Sequence, residues 1–564
     1  MKTLRKTKPA KILFITLALC LLTISPVGAG ELEGKTIYVN NKQIEPVTTT
    51  LLDYQEFDLK TVENLHNGSY EYINYPLGYR CQYPQNMTVD LTHGNICTVF
   101  SNDECRIEIY YQPLMAVDYL TYIGYSNNFL LDKKTYLNQK QYTCLIGGHV
   151  ADVVEWERPA LTGVNNDFPY YLQIDVKKNM AEAYSIFIES KNKLTKDSPY
   201  RQVVSSLSFQ TPFGKYCHQI NLQESELETQ MRLGRLNEKT KALYLEYFAN
   251  DEPLKWGIFE PEAPNDMHNV FKMEYQLKTR FDCLVRYHHL FSDNVPIGKV
   301  IEDMKNAYGN HRFVELTLQT TDVTQGNRIY EILNGEHDVY LTDYAEALAD
   351  YGEPILLRLA NEMNGDWCVY SAYHYGKDTS LYREFYIYLY NIFEKAGANK
   401  NVLWVWNPNE KSFPDFTWND MQMYYPGNRY VDIVGLTGYN TGTYYEGETW
   451  RTFNEIYGEL YQDYVAMFSQ PLMITEFASS SVGGDKVAWI KDMFEQLPNY
   501  PKLKMAVWWS GCDWDYSTEE PTAARIYRLD ENAEVMQAFA EGLQAAQKRA
   551  EEAEIENTET TYID

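Results

Sequence analysis

The chain has 564 residues, and its 50 lysines and arginines against 78 aspartates and glutamates give it a net charge of −28. That length exceeds what one hydrophobic core usually organises, so we expect two domains plus their connections. So acidic a chain is not attracted to nucleic acid or to anionic membranes, which argues against both as partners and leaves a neutral polymer acceptable.

The first thirty residues predict a location rather than a fold. Basic residues precede an apolar run at 12–22, and small residues follow as far as Ala29. This order is typical of a secretory signal peptide, whereas a membrane helix needs about 20 apolar residues. We therefore predict a signal peptide at 1–30 and a secreted, extracellular protein that leaves the membrane after cleavage. Association with a cell wall and an uncleaved anchor remain open alternatives.

The mature region from 31 to 210 is predicted to be a smaller, β-rich (α+β) accessory domain. Segments such as 106–110, 171–175 and 184–188 alternate apolar and polar residues, which indicates strands with one buried face. His149 and Glu155 stand alone there, so no chemistry is assigned to this domain. The following stretch, 211–250, is charged and is predicted to be a linker helix.

The cysteines suggest neither a metal site nor a unique disulfide pattern. Eight of them follow the predicted signal peptide, with no CxxC and no Cys/His spacing typical of a metal site. Their pairing cannot be deduced from the sequence. We expect no metal, no cofactor and a monomer.

Eight short apolar runs follow, and each is short enough to be a buried parallel strand. They lie at 255–259, 283–287, 313–318, 355–359, 402–406, 431–436, 472–475 and 505–509. Most precede a helical pattern, such as the one that ends before Gly397, a residue suited to a left-handed helix cap. This rhythm predicts an α/β domain at 251–545, a (β/α)8 TIM barrel, followed by an acidic tail at 546–564.

Two carboxylic acids stand where chemistry collects in such a barrel, at the carboxyl ends of the strands. Glu362 follows the fourth run, and Glu476 ends the seventh. Retaining glycoside hydrolysis needs two carboxyl groups about 5 to 5.5 Å apart, one to protonate the leaving oxygen and one to attack the anomeric carbon. An isolated glutamate at a strand end is more often structural, but a pair at these two ends favours catalysis.

The residues around both glutamates resemble those of glycoside hydrolase family 26, known mainly for β-mannanases, with lichenases and β-1,3-xylanases among its members. Arg358 with EMNGDW at 362–367 is similar to the acid/base motif, and MITEFAS at 473–479 to the nucleophile motif. YPG at 425–427, YVDIVG at 430–435 and GYN at 438–440 match the segment of the sixth strand. The resemblance covers about residues 250 to 525 and stops short of the N-terminal region.

The resemblance implies roles for single residues of this chain. Glu362 is the expected acid/base and Glu476 the expected nucleophile. Tyr439 would donate a hydrogen bond to the nucleophile, Trp367 would border the reacting sugar, and Arg358 would keep the nucleophile ionised, since a nearby cation lowers a carboxylate pKa.

Further residues are expected to bind the sugar chain. Trp508 or Trp509, at the end of the eighth run, would be the stacking platform, with the choice between them open. His288, or its neighbour His289, ends the second run and would reach a sugar hydroxyl, against the equal alternative of a packed or solvent-facing residue.

One residue departs from the family pattern. Mannanases of this family commonly carry histidine immediately before the acid/base, and this chain has Asn361. Asparagine at this position is similar to the pattern of the wider clan, in which its amide binds the sugar 2-hydroxyl, and the orientation of that hydroxyl distinguishes mannose from glucose. The expected substrate is a plant or microbial polysaccharide, with β-mannan ranked narrowly ahead of β-glucan and xylan.

Two other functional classes compete with a glycanase. An inactive carbohydrate-binding protein would usually lose one of the two glutamates, and both are present. A metal-dependent hydrolase needs His/Asp clusters at the strand ends, and the pair at 288–289 is the one hint of such a cluster.

Overall fold

A computed structural model describes residues 30–217, 220, 222–250, 253–292, 294–320, 328–517 and 519–561, with side chains as far as 552. The predicted signal peptide lies outside these residues, apart from its last position. Within the described residues no helix is both long enough and apolar enough to cross a bilayer. The eight cysteines of this part are unpaired.

The N-terminal region folds as two antiparallel sheets. Its strands are β1 (Thr36–Val39), β2 (Lys42–Ile44), β3 (Leu59–Asn64), β4 (Ser69–Asn74), β5 (Tyr79–Pro84), β6 (Thr88–Asp90), β7 (Cys97–Ser101), β8 (Cys105–Pro113), β9 (Leu137–Ile146), β10 (His149–Glu157), β11 (Tyr170–Lys177), β12 (Glu182–Ser190) and β13 (Ser208–Phe209). One sheet has the order β13-β5-β4-β3-β1-β2 and the other β6-β7-β8-β12-β11-β10-β9.

Aromatic side chains fill the space between these two sheets. Tyr72 and Tyr79 on one sheet pack in a common cluster with Phe100 and Tyr184 on the other. Their rings meet edge to face, a geometry that aromatic quadrupoles favour. The period-2 alternation seen in the sequence therefore reflects one face of each sheet turned towards this shared core.

The C-terminal half is a closed parallel barrel, which confirms the predicted (β/α)8 fold. Its strands are β14 (Lys255–Phe259), β15 (Cys283–His289), β16 (Phe313–Gln319), β17 (Ile355–Leu359), β18 (Val402–Trp406), β19 (Ile433–Thr437), β20 (Leu472–Phe477) and β21 (Leu503–Trp509). Each strand coincides with a predicted apolar run, because a strand covered by helices on one side and by the barrel interior on the other is apolar on both faces. A hairpin of β22 (Cys512–Asp515) and β23 (Thr522–Ile526) follows.

Helices of the N-terminal domain, of the connection and of the outer barrel layer complete the described fold. They are α1 (Tyr119–Ser126), α2 (Arg201–Ser205), α3 (Glu226–Gly234), α4 (Glu238–Tyr247), α5 (His268–Leu277), α6 (Ile297–Gly309), α7 (Ile329–Leu333), α8 (Asp338–Tyr351), α9 (Thr379–Ala396), α10 (Phe453–Met467), α11 (Lys486–Gln496) and α12 (Ala533–Thr561). Helix α9 begins with an Asp378 cap and ends at Gly397, whose φ of 82° is the left-handed conformation expected there. Residues 546–561, within the segment predicted as an acidic tail, continue helix α12.

The segment between the domains closes the bottom of the barrel. It forms the two helices α3 and α4 where the sequence suggested one. Leu236, Tyr244 and Phe248 from this segment are buried in one cluster with the inward-facing residues of the barrel strands. Arg235 adds an ion pair of 2.5 Å to Asp432. With the bottom sealed, ligands have access from the opposite end, where the strands terminate.

The N-terminal domain lies beside the mouth of the barrel, against the loop that follows β17. The hydroxyl of Tyr171 donates to Asp378 at 2.8 Å, and the hydroxyl of Tyr136 donates to the carbonyl of His374 at 2.6 Å. Trp156 packs so closely on Gly376 that a Cβ there would lie 2.5 Å from its ring. The accessory domain therefore supports the loop that leads away from Glu362.

Candidate active site

Glu362 is held in a backbone conformation that non-glycine residues rarely adopt. Its φ is 55°, and that of Ala360 is 48°, both in the left-handed region. The cost is offset by hydrogen bonds from the Glu362 amide to the carbonyl of Asn407 at 2.7 Å and from the Tyr382 hydroxyl to the carbonyl of Ala360 at 3.1 Å. Such local strain collects at functional sites, where surrounding contacts hold it in place.

Glu476 reaches the mouth because strand β20 carries an extra residue. Leu436 on β19 pairs with Ile474, but the next residue, Thr437, pairs with Glu476 and leaves Thr475 unmatched. A bulge of this kind redirects a side chain at the end of a strand. The side chain of Glu476 is almost completely buried as a result.

Arg358 is the cation that pairs with the expected nucleophile. Its side chain is fully buried, and its Nη2 lies 2.8 Å from Oε2 of Glu476. Its Nη1 donates to the Oδ1 of Asn407 at 3.2 Å. Asn407 thus contacts the backbone of Glu362 and the side chain of Arg358, and it links the two ends of the candidate site. Arg358 therefore contacts the expected nucleophile, and its role in keeping that group ionised stays a prediction.

The hydroxyl that donates to Glu476 belongs to Tyr287 of β15, not to the predicted Tyr439. Arg358 also donates to the Tyr287 oxygen at 3.1 Å, so the phenol has a fixed orientation. The Tyr439 ring lies close by, edge-on to Trp509 at 6.3 Å, but no hydrogen bond joins it to Glu476 among the described residues. Tyr439 is therefore a neighbour of the site and not the donor.

The carboxyl group of Glu362 has the properties of a proton donor near neutral pH. Burial, and after it the charge of Glu476, raise the pKa of Glu362 to about 7. Asn409 Nδ2 donates to Glu362 Oε1 at 2.5 Å and acts in the opposite direction, as does the side chain of Trp367. The two glutamates therefore lie close enough to influence one another, and their environments differ in the way that an acid and a nucleophile require.

A third glutamate, which the sequence analysis missed, lies beneath this pair. Glu315 of β16 is completely buried, and its Oε1 is 2.8 Å from Nε of Arg358. Burial raises the pKa of Glu315 to about 7, and the proximity of Arg358 counteracts part of that rise. A sequence signal could have revealed Glu315. It is a glutamate within the apolar run 313–318, and the next run, 355–359, contains Arg358.

Replacing Arg358 with methionine is expected to destabilise the barrel by about 3 to 5 kcal/mol, because two buried carboxyl groups would lose their cation. Equilibrium unfolding in urea, followed by tryptophan fluorescence, measures the change. Arg525→Met is the matched control, since its partners Glu448 and Asp513 lie near the surface and such pairs contribute about 1 kcal/mol or less. Equal effects of the two substitutions would contradict this account of the Arg358 cluster.

Asn361 and Trp367 flank Glu362 in the loop that follows β17. The Oδ1 of Asn361 accepts from Nε2 of Gln319 at 3.0 Å, and its backbone carbonyl accepts from the Tyr370 hydroxyl at 2.8 Å. Its amide therefore has a fixed orientation in a buried position. Trp367 is 45% exposed and packs on Phe413 with the ring centroids 5.2 Å apart. This placement is compatible with the predicted sugar contact of Trp367.

Two predicted sugar contacts are wrong. Trp508 is completely buried in the outer layer and donates its indole N–H to the carbonyl of Tyr527 at 2.9 Å. His288 is also buried, with Nε2 at 2.9 Å from the carbonyl of Val295 and Nδ1 at 3.1 Å from the Tyr344 hydroxyl. Both side chains point away from the mouth because neighbouring residues of a strand face opposite sides.

Trp509 is the tryptophan of that pair that faces the mouth. It stacks on Phe259, with centroids 5.0 Å apart and an interplanar angle of 15°. It is partly exposed, unlike Trp508. Of the alternatives that the sequence left open, the structure therefore leaves Trp509 as the candidate platform.

The comparison of the sequence with family models agrees with this site. Residues 314–477 match the model described as glycosyl hydrolase family 26, a span that includes both glutamates and Arg358. Over this span the barrel domain is similar to glycosyl hydrolase family 26. Among the described residues no group of three or more His, Cys, Asp or Glu side chains is arranged to hold a metal ion.

Curated proteins similar to the barrel domain include an endoglucanase and mannan endo-1,4-β-mannosidases. An endoglucanase H from Acetivibrio thermocellus is 33% identical over 205 residues, which are 35% of this chain and 22% of the relative. A mannan endo-1,4-β-mannosidase from Bacillus subtilis is 31% identical over 160 residues, which are 28% of this chain and 40% of the relative. The chain thus spans less than half the length of either relative.

Solved family 26 structures are also similar to this chain. The catalytic domain of an endo-β-1,4-mannanase from Bacillus sp. JAMB-750 is 16% identical, covers 55% of this chain and 90% of its own, and has a TM-score of 0.43. The fold assignment rests on the closed eight-stranded barrel of this chain.

Proposed function

We propose that this chain is a secreted, retaining β-glycanase that hydrolyses β-mannan. The observation that carries the proposal is the contrast between two carboxyl groups at the mouth of the barrel, at the carboxyl ends of β17 and β20. Glu362 has a pKa raised to about 7, and Glu476 pairs with a buried arginine at 2.8 Å. The Glu362 carboxyl group is suited to donate a proton near neutral pH, and the Glu476 carboxyl group lies beside a cation, an arrangement that fits the acid and the nucleophile of a double displacement.

In the first step the Glu476 carboxylate attacks the anomeric carbon while the Glu362 proton moves to the leaving oxygen. The glycosidic bond breaks, an ester bond to Glu476 forms, and Glu362 is left as an anion. In the second step Glu362 takes a proton from water, whose oxygen attacks the same carbon and releases Glu476. Tyr287 and Arg358 hold the carboxylate of Glu476 in place during both steps.

The choice of mannan is supported by the family and by relatives with the name mannan endo-1,4-β-mannosidase. A β-glucan substrate is the second candidate. It is supported by Asn361, which stands where mannanases of the family carry histidine, and by the relative with the name endoglucanase H. Because the Asn361 amide is fixed by Gln319 and Tyr370, it would select one orientation of the sugar 2-hydroxyl.

The full chain is expected to release reducing sugar from one member of a panel of β-1,4-mannan, mixed-linkage β-glucan and β-1,3-xylan. Reducing-end assays and chromatography of the products identify the polysaccharide. Proton NMR within the first minutes should show the β-anomer, because two displacements at the same carbon retain its configuration. Cleavage of the glucan would replace mannan as the substrate, an α-anomer would refute the double displacement, and no cleavage of any member would refute the enzymatic function.

Export is supported by the basic start and short apolar run of residues 1–30. N-terminal sequencing of the protein from the culture medium should find a start close to residue 30. Recovery of the protein with its first residues intact in the cell fraction would contradict export.

A further inference from the structure

We propose that the N-terminal domain contributes a sugar-binding subsite to the cleft, with Tyr125 as its stacking ring, on the side of the leaving group. The inference rests on the proposed glycanase function and names a part of the site that the barrel does not supply. Tyr125 lies in helix α1 of the accessory domain, more than two hundred residues from Glu362 in sequence.

The position of Tyr125 follows from its contacts with the acid/base loop. Its hydroxyl donates to the carboxylate of Asp366, the residue immediately before Trp367. Its ring packs against Tyr373 at 4.9 Å with an interplanar angle of 31°, and edge-on against Phe416 at 6.3 Å. Tyr373 follows β17 and Phe416 follows β18, so the accessory domain meets the mouth of the barrel at the ends of its fourth and fifth strands.

Three partly exposed aromatic residues lie on this side of the mouth: Trp367 packs on Phe413, and Tyr125 contacts Asp366, which precedes Trp367 in the chain. Tyr125 is 38% exposed, Trp367 45% and Phe413 44%. Phe413 is tied to the turn of Glu362 by a hydrogen bond of its backbone amide to the carbonyl of Asn364 at 2.8 Å. Aromatic rings left open to water beside a cleft have a clear use in a glycanase, because their flat apolar faces fit the faces of sugar rings.

The occupant that fits this surface is the continuation of the substrate chain. Glu362 donates its proton to the leaving oxygen, so the sugars beyond that oxygen lie on the acid/base side of the mouth. The loops after β17 and β18 form that side. A neutral polysaccharide suits it, since the three aromatic residues are partly exposed there and the carboxylate of Asp366 accepts a hydrogen bond from the Tyr125 hydroxyl.

The test uses the full chain in a Glu476→Gln background, so that ligands bind without being consumed. Isothermal titration calorimetry compares Tyr125→Ala, Tyr125→Phe and Leu120→Ala, with β-mannan and mixed-linkage glucan oligosaccharides from the disaccharide to the hexasaccharide. Leu120 is the matched control, since it lies in the same helix and is 67% exposed.

We expect Tyr125→Ala to weaken hexasaccharide binding about three- to tenfold, the range of a lost aromatic contact, with little change for the disaccharide. Tyr125→Phe keeps the ring and should bind like the parent, as should Leu120→Ala. Equal binding by the parent and Tyr125→Ala would overturn the inference. An equal loss in Tyr125→Phe would overturn it too, because Tyr125 would then act through Asp366 as a positioning residue.

Failure of the inference and failure of the proposed function are distinguishable. If the wild-type chain cleaves a polysaccharide while Tyr125→Ala leaves its chain-length preference unchanged, the barrel acts alone and the subsite is wrong. If the wild-type chain cleaves none and the Glu476→Gln protein binds neither hexasaccharide, both proposals are wrong.

Discussion

Replacing Glu476 with alanine is expected to lower kcat on the polysaccharide by about 10⁴-fold or more, because the group that forms the covalent bond to the anomeric carbon is removed. Arg358 keeps Glu315 as a partner at 2.8 Å, so the barrel should remain folded. Reducing-sugar release measures the loss, and circular dichroism of the same sample checks the fold. Activity close to that of the wild-type chain would refute the nucleophile.

Chemical rescue sharpens this test. Alanine leaves space at the face from which Glu476 attacks, so added azide should displace the leaving group of an activated β-glycoside and give the α-glycosyl azide. Glu446→Ala is the matched control, since Glu446 is an exposed glutamate of the loop after β19 and should retain wild-type activity. Formation of the β-azide would place the nucleophile elsewhere.

Glu362→Gln is expected to lower kcat/KM on the polysaccharide by about 10²- to 10⁴-fold, the usual contribution of a general acid. An aryl glycoside should show a much smaller loss in its first step, because an acidic phenol leaves without a proton. Parallel assays on the two substrates measure the difference. Equal losses on both would show that Glu362 does not act by proton donation.

The pH profile gives a second signature of Glu362. Its raised pKa of about 7 means that the carboxyl group is protonated below that pH and ionised above it. Activity of the wild-type chain should therefore fall as the pH rises through about 7. In Glu362→Gln this basic limb should disappear, whereas a limb that persists would assign the titration to another group.

Much of the barrel could be predicted because its sequence signals are local. A buried parallel strand is apolar on both faces, so every strand of the barrel appeared as a continuous run, and the helix after the fourth strand showed its own period and its glycine cap. The positions of Glu362 and Glu476 followed from strand ends alone. Arg358 was singled out by its neighbouring motif, and the structure pairs it with Glu476.

Two of the errors, those at His288 and Trp508, concern the direction of side chains and share one cause. Tyr287 and His288 are neighbours on β15, and Trp508 and Trp509 are neighbours on β21, so one of each pair faces the barrel interior and the other the helices. In a strand that is apolar on both faces, the sequence carries no alternation to tell them apart. To select the correct residue of each pair, one has to know which face of the strand points into the barrel.

The sequence by itself determined the order of the strands, the barrel and the two glutamates at its mouth, because these depend on local patterns. The tertiary structure alone decided which strand faces turn inward, and so brought Tyr287, Glu315 and Trp509 into the site. It also decided that the N-terminal domain lies beside the acid/base loop. That contact joins Tyr125 to Asp366 across 241 positions of the chain, a separation at which no local pattern carries information.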